Sequence, residues 1–150
     1  MRSARYLIIL IFIAIACDND DSVDANSKVE EVKDFATKGR WRISYFYDTD
    51  KEETDNFDGY AFQFAPGGVL TASNGSNSHS GSWSVTDEDS TDDSNDYEDI
   101  DFNISFATSP DFAELSEDWE ILSITNLKIE LRHVSGGGGA ADLLTFDKIQ

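Results

Sequence analysis

The feature that most limits the fold of this chain is a repeated alternation of apolar and polar side chains. In the stretch IDFNISF, residues 100–106, every second residue is large and apolar. Because side chains alternate between the two faces of a strand, this period predicts strands with one buried face and one wet face. The same period predicts eight strands in all, at 40–47, 59–65, 68–73, 78–86, 98–106, 119–124, 127–133 and 142–149.

Short connections rich in turn residues separate most of these predicted strands. Turn chemistry is clearest in PGG at 66–68, NGSN at 74–77 and GGGG at 136–139. Short connections favour antiparallel neighbours, so the sequence predicts an all-β fold, an eight-stranded antiparallel up-and-down barrel. A two-sheet sandwich would show the same alternation, and the periodicity leaves that connectivity open.

A short helix is predicted ahead of the first strand. Apolar residues at Val29, Val32, Phe35 and Ala36 share one helical face, which predicts a helix at 27–37 that ends just before Gly39. Residues 18–27, DNDDSVDANS, hold only two apolar side chains and have no period, so residues 17–27 are predicted to be an acidic tether. The folded domain is therefore predicted to span residues 28–150.

The N-terminal segment has the pattern of an export signal. Two arginines, Arg2 and Arg5, precede the uncharged run YLIILIFIAIA at residues 6–16. A basic start followed by an apolar stretch of this length is typical of a secretory signal peptide, predicted here at residues 1–16. A transmembrane helix needs about 20 apolar residues, so this run is too short to span a bilayer.

The only cysteine of the chain, Cys17, directly follows this apolar run. Ala14 and Ala16 fit the small-residue rule of an ordinary cleavage site, which would leave one unpaired thiol at the new N-terminus. The alternative is a lipobox: Ala16-Cys17 resembles the bacterial lipoprotein signal, in which the cysteine is acylated. Lipid attachment at Cys17 is the interpretation that explains the solitary cysteine, and the acids that follow resemble the surface-export tag of Bacteroidetes lipoproteins.

The charge of the chain excludes one class of partner. Residues 17–150 contain nine bases and thirty acids, a formal charge of −21, and no Lys or Arg occurs between Lys51 and Lys128. Such a surface repels phosphate, so nucleic-acid binding is not expected. Anionic lipid headgroups should repel it as well, and the sequence therefore predicts membrane contact through the acyl anchor alone.

A family resemblance agrees with the predicted barrel. A short helix followed by Gly39-Arg40-Trp41 at the head of the first strand resembles the G-x-W motif of lipocalins, and a second copy stands at Gly81-Ser82-Trp83. Residues 38–149 resemble the lipocalin-like domains of Bacteroidetes lipoproteins, through GRWRISYFYD, GYAFQFAPGG, GSWSV and LTFDK. The resemblance implies a barrel and a small apolar ligand, although the chain is short and lacks the paired cysteines of larger lipocalins.

The aromatic residues of the predicted inner face are the candidate site. They would either line a ligand cavity or fill a narrow barrel, which at eight strands is just wide enough for its own side chains. The leading candidates are Trp41, Tyr45, Phe62, Phe64, Trp83 and Phe102, with Tyr60 and Phe106 beside them.

Other chemistry-bearing residues carry weaker signals. Nine acids lie between Asp87 and Asp101, but the order and the glycine of a calcium loop are missing, so a solvated loop is the simpler interpretation. Neither histidine has metal-ligand spacing; His133 lies in phase with Leu127, Ile129 and Leu131, which predicts a place at a buried strand end. No nucleotide, zinc-protease or hydrolase motif occurs, so we expect neither cofactor nor catalysis.

Two functional hypotheses follow from the sequence. The first is a lipid-anchored lipoprotein of the outer membrane, exposed at the cell surface, whose non-catalytic lipocalin-like module binds a small apolar molecule. The second is an accessory domain with a filled core, which contacts a protein partner through its loops or its acidic face. An internal cavity would favour the first hypothesis and close packing would favour the second.

Overall fold

The computed structural model describes residues 23–87, 97, 99–107, 109–134 and 140–150, with side chains from Ser27 onward. The helices are α1 (Val23–Thr37) and α2 (Pro110–Ala113), with a 3₁₀ turn at Thr54–Phe57. The strands are β1 (Trp41–Asp48), β2 (Lys51–Glu52), β3 (Ala61–Ala65), β4 (Val69–Ser73), β5 (Ser78–Asp87), β6 (Ile100–Phe106), β7 (Asp118–Ile124), β8 (Lys128–Val134) and β9 (Ala141–Lys148).

Eight of these strands form one closed antiparallel barrel. They pair in the order β1-β3-β4-β5-β6-β7-β8-β9, and β9 pairs back onto β1. The up-and-down barrel predicted from the alternation is confirmed, and each of the eight predicted strands corresponds to one of its strands. A continuous sheet that closes on itself rules out the two-sheet sandwich.

Two elements differ from the sequence prediction. Helix α1 begins at Val23, four residues before the predicted start, so its first turn lies within the predicted tether. The two-residue strand β2 was not predicted; it folds back on Tyr47 and Asp48 through a turn in which Thr49 has a positive φ of 53°. The buried carboxylate of Asp142 accepts a hydrogen bond of 2.6 Å from the Thr49 amide and holds this turn in place.

A β-bulge in β1 reverses the alternation that the sequence suggested. Between Ile43 and Tyr45, β1 advances two residues while its partner β9 advances one, so Ser44 is the extra residue. The bulge turns the following side chains over. Phe46 is therefore fully buried, while Tyr45 is 39% exposed. The prediction that Tyr45 faces the interior is wrong for this reason.

The barrel has two ends, and each is covered. At the α1 end, where β1 begins and the β3–β4 turn lies, α1 buries Val32 and Ala36 against the core. At the α2 end, where β3 begins and β6 ends, the 3₁₀ turn contributes Phe57, and Phe112 and Leu115 come from α2 and the turn after it. These five apolar side chains close the core along the barrel axis.

Candidate functional site

The interior is occupied by aromatic rings that contact one another. Phe64 is the centre of the cluster, with ring centroids 5.3 Å from Trp83, 5.2 Å from Phe102 and 5.5 Å from Phe146. Phe62 lies 5.4 Å from Phe146 and extends the cluster. Such separations are those of edge-to-face and offset ring pairs in direct contact. Of the predicted site residues, Phe62, Phe64, Trp83 and Phe102 are thus brought together, each at most 6% exposed.

Trp41 is buried as well, but it lies at the α1 end of the barrel. Its indole N–H donates a hydrogen bond of 2.8 Å to the carbonyl of Ala36, in the last turn of α1. The ammonium of Lys148 lies over this ring, 5.8 Å from its centre. Trp41 therefore fastens the helix to the barrel and is itself covered by a lysine stem.

The α2 end is closed by a second group of rings, which the sequence analysis missed. The ring of Phe112 lies 5.3 Å from Phe57, 5.1 Å from Tyr60 and 5.2 Å from Phe106. His79 stacks on Phe112 at 4.2 Å, and its Nε2 lies 3.4 Å from the Tyr60 hydroxyl. The available signal was a lone phenylalanine within each of two polar loops, at Phe57 and Phe112, where a solvated loop needs none.

His133 lies at the rim of the α2 end, on the same face of β8 as the buried Ile129 and Leu131 and near the start of β7. Its Nδ1 is 3.0 Å from the carbonyl oxygen of Asp118, and its Nε2 is 3.5 Å from a carboxylate oxygen of Glu117. Its side chain is 22% exposed. The prediction of a buried strand end fits in part, because His133 keeps the inward phase of Ile129 and Leu131 but is only partly buried. Leu127, in the preceding turn, is 54% exposed.

Three carboxylates meet at the α2 end. Oxygens of Asp48, Glu53 and Glu114 lie within 4.8 Å of one another. The Lys51 ammonium pairs with Glu53 and lowers the pKa of that carboxyl, and a hydrogen bond with Glu114 lowers it further. Partial burial, followed by the hydrogen bond to Glu53, raises the pKa of Glu114. The set has the chemistry of a divalent-cation ligand group, but Lys51 already supplies a cation to it. Because acidic residues are numerous throughout the chain, nothing in the sequence singled out these three carboxylates.

Most of the acidic stretch at 87–101, for which the sequence favours a solvated loop over a calcium site, lies outside the described residues. Tyr97 is described, and its hydroxyl donates a hydrogen bond of 3.4 Å to Glu31 of α1. The ammonium of Lys28 lies 5.3 Å from the centre of the Tyr97 ring. Burial and the neighbouring Glu31 raise the pKa of this phenol. These contacts attach the start of β6 to the helix.

Two grooves of ligand size lie on the outer surface of the described structure. One, of about 500 Å³, runs between α1 and the β3–β4 turn and is lined by Glu30, Lys33, Asp34, Thr37, Pro66, Gly67, Gly68, Trp83, Ser84 and Val85. The other, of about 490 Å³, lies at the α1 end beside the C-terminus and is lined by Arg42, Leu127, Asp147, Lys148, Ile149 and Gln150. Both grooves are open to solvent and have mixed polar and apolar linings.

Comparison with known proteins adds no neighbour. No protein-family model, no curated protein and no solved structure matches the chain. The likeness to lipocalin-like lipoprotein domains thus stays a resemblance carried by the residues quoted above and by the barrel itself. Within the described part of the chain, no helix has the length and apolar character required to cross a bilayer.

Proposed function

We propose that this protein is a lipid-anchored lipoprotein of the cell envelope whose barrel is a non-catalytic interaction module. It is attached to the outer membrane through Cys17 and recognises its partner with its outer surface. The observation that carries this proposal is the packing of the barrel: rings in mutual contact fill the described interior, and α1 and α2 cover its two ends.

The filled interior favours the accessory-domain hypothesis over an internal apolar ligand. A lipocalin-type site requires an open cavity within the barrel. Here the inward positions of β3, β5, β6 and β9 are occupied by Phe64, Trp83, Phe102 and Phe146, whose ring centroids lie between 5.2 and 5.7 Å apart along the contacts of the cluster. A small molecule would have to displace these rings, at the cost of their packing.

The charge of the outer surface supports a basic protein surface as the partner. Strands β3 to β7 lie within residues 52–127, which contain no Lys or Arg. Many of their outward side chains are polar or acidic, as at Gln63, Asp101 and Glu120. Val69 on β4 and Leu122 on β7 are exposed apolar side chains on the same surface. A single-sign surface of this kind attracts a complementary one and speeds encounter.

Native mass spectrometry of the protein purified from its own source tests the interaction module. We expect the mass of the acylated chain alone, or of the chain with a protein partner. A retained small apolar molecule, released when the barrel unfolds, would instead establish the internal-ligand hypothesis.

Cell fractionation of Cys17→Ala tests the anchor. An acylated cysteine carries the hydrocarbon that holds the chain on the membrane, because each buried methylene contributes about 0.8 kcal/mol. The variant should move from the membrane fraction to the soluble fraction, while the exposed Ser27→Ala control stays on the membrane. Retention of Cys17→Ala at the level of the control would contradict lipid attachment.

A further inference from the structure

We propose that one flank of the α1 end is a contact surface for anionic phospholipid and holds the anchored barrel in a fixed orientation. This basic flank consists of Arg40, Arg42, Lys128 and Lys148, together with the apolar side chains of Leu127 and Ile149. The inference rests on the proposed anchor at Cys17 and adds to it the face that the folded domain turns toward the bilayer.

The fold gathers bases that are far apart in the sequence. Arg42 on β1, Lys128 on β8 and Lys148 on β9 belong to three strands that are consecutive in the closed barrel. Arg42 and Lys128 are exposed, and their nearest carboxylates, Asp147 and Glu130, lie 3.8 Å away in each case. Ion pairs this loose and exposed contribute little, so both bases remain available to a phosphate.

Apolar side chains project from the same flank. Leu127, in the β7–β8 turn, is 54% exposed, and Ile149, after β9, is 38% exposed. Backbone hydrogen bonds fix the two near each other, from Lys148 N to Leu127 O at 2.9 Å and from Ile149 N to Arg40 O at 2.8 Å. Exposed leucine and isoleucine beside lysine and arginine are the composition of surfaces that enter the headgroup region of a bilayer.

Net charge does not forbid this contact, because salt screens charges beyond about 8–10 Å. An eight-residue strand such as β1 spans roughly 26 Å, so the carboxylates of the α2 end lie beyond that range when the α1 end faces the bilayer. The acidic stretch between β5 and β6 opens at the α1 end, but β5 and β6 lie across the barrel from β9 and β1.

The anchor lies at the correct end for this orientation. Helix α1 covers the α1 end of the barrel, and it begins at Val23, six residues after Cys17. Its N-terminal half contacts Tyr97 on the β6 side, so the anchor and the basic flank share this end but lie on opposite sides of it. Six residues span at most about 20 Å, which keeps the barrel close to the bilayer. The anchor holds the barrel near the bilayer. The distribution of charge over the domain then determines which of its faces lies nearest to the lipid headgroups.

Fluorescence quenching by headgroup-labelled lipid tests the orientation. The full acylated chain is reconstituted in vesicles of phosphatidylcholine with one-third phosphatidylglycerol, and a fluorophore is attached at Leu127→Cys or at Ser76→Cys. Both positions are exposed turn residues, and Ser76 lies in the β4–β5 turn at the α2 end. We expect quenching at Leu127 to exceed that at Ser76 by about fivefold, the effect of a single base near an anionic surface.

Charge reversal identifies the side chains responsible. Arg42→Glu with Lys128→Glu should abolish the difference in quenching, as should vesicles of phosphatidylcholine alone. Lys51→Glu with Arg132→Glu changes the net charge equally but lies outside the basic flank, and it should leave the difference unchanged. Circular dichroism verifies that each variant keeps its strand content.

The two proposals fail in different ways. A chain without an acyl group would not remain on the vesicles at all, and that outcome would overturn the anchor together with this inference. A chain that remains on the vesicles but is quenched equally at both positions would overturn the lipid-contact surface alone. Equal loss of the difference in both charge-reversed variants would do the same, since it would reveal a net-charge effect.

Discussion

At the scale of single residues, the three tryptophans share one task. Each indole N–H donates to a backbone carbonyl: Trp41 to Ala36 at 2.8 Å, Trp83 to Ala65 at 3.0 Å, and Trp119 to Leu115 at 3.0 Å. Those carbonyls stand in the last turn of α1, at the end of β3 and in the turn after α2. Each large buried ring therefore also satisfies a carbonyl where a helix or strand stops.

Replacing Trp41 by Phe should lower stability. The variant removes the donor to the buried Ala36 carbonyl, and an unsatisfied buried acceptor costs about 1–3 kcal/mol. Urea denaturation followed by circular dichroism measures the change. Tyr45→Phe, which removes a polar atom from an exposed ring on the same strand, is the control and should have no measurable effect; equal losses in the two variants would contradict this role for Trp41.

The two glycines of the repeated G-x-W pattern should respond differently to alanine. A Cβ at Gly81 would lie 2.3 Å from the Ser105 carbonyl oxygen of the paired strand, whereas a Cβ at Gly39 would meet only the flexible stem of Lys148. Gly81→Ala should destabilise the barrel by about 2 kcal/mol or more, because the ladder must shift. Gly39→Ala should cost much less. Thermal unfolding separates them, and similar melting temperatures would contradict the close approach at Gly81.

At the scale of elements, the sequence predicts the strands well and their irregularities poorly. Period-two alternation located all eight barrel strands, because each has one buried face that water must not reach. The bulge at Ser44 adds one residue and leaves no mark in composition, so the alternation predicts Tyr45 at an inward position that Phe46 occupies. The covering role of Phe57 and Phe112 depends on where two loops meet in space, which periodicity does not encode.

Shortening the Phe112 side chain, which closes the α2 end of the barrel, should lower the stability of the domain. Phe112 is 3% exposed and contacts four other aromatic rings besides His79. Phe112→Ala should destabilise the domain by about 3–5 kcal/mol, the usual cost of emptying a buried aromatic site. Asp111→Ala, in the same helical turn but exposed, should stay within about 0.5 kcal/mol of the parent. Chemical denaturation measures both, and a small effect at Phe112 would show that the α2 end is not closed by packing.

The Glu53–Glu114 contact gives stability a pH dependence of known sign. The folded pKa of Glu114 is raised by burial and by Glu53, so its favourable contribution is complete below the unfolded pKa and is lost as pH rises through the folded pKa. The pKa of Glu53 is lowered by Lys51, so its contribution has the opposite dependence and is lost in acid. The two contributions to stability depend on pH in opposite directions, so a substitution of Glu114 alone is needed to observe its own contribution.

Glu114→Gln should therefore stabilise the protein at neutral pH but not in acid. Glutamine keeps a donor toward Glu53 and cannot ionise, so the charge repulsion present near pH 7 disappears. Melting temperatures recorded from about pH 3.5 to about pH 7 should diverge above the ordinary glutamate pKa of about 4.3. Glu52→Gln, exposed on β2, is the matched control; a constant offset of Glu114→Gln across this range would contradict the carboxyl contact.

At the scale of the whole molecule, closure of the barrel determines how the charged residues are distributed over its surface. Pairing of β9 with β1 closes the barrel and brings the N- and C-terminal strands side by side. The same closure separates the base-free strands β3 to β7 from the base-bearing strands β1, β8 and β9. The net charge of the chain predicts that the whole surface repels anionic lipid. The gathering of the bases on one side of the barrel could not be predicted, because it depends on which strands are neighbours.

Xenon binding tests the filled barrel most directly, because xenon enters dry apolar cavities that are too small for most ligands. Crystals of the parent protein and of Phe64→Ala under xenon pressure are compared. We expect no xenon among Phe62, Phe64, Phe102 and Phe146 in the parent, and a bound xenon in the space vacated in Phe64→Ala. Xenon at that position in the parent would contradict the account and restore an internal ligand site.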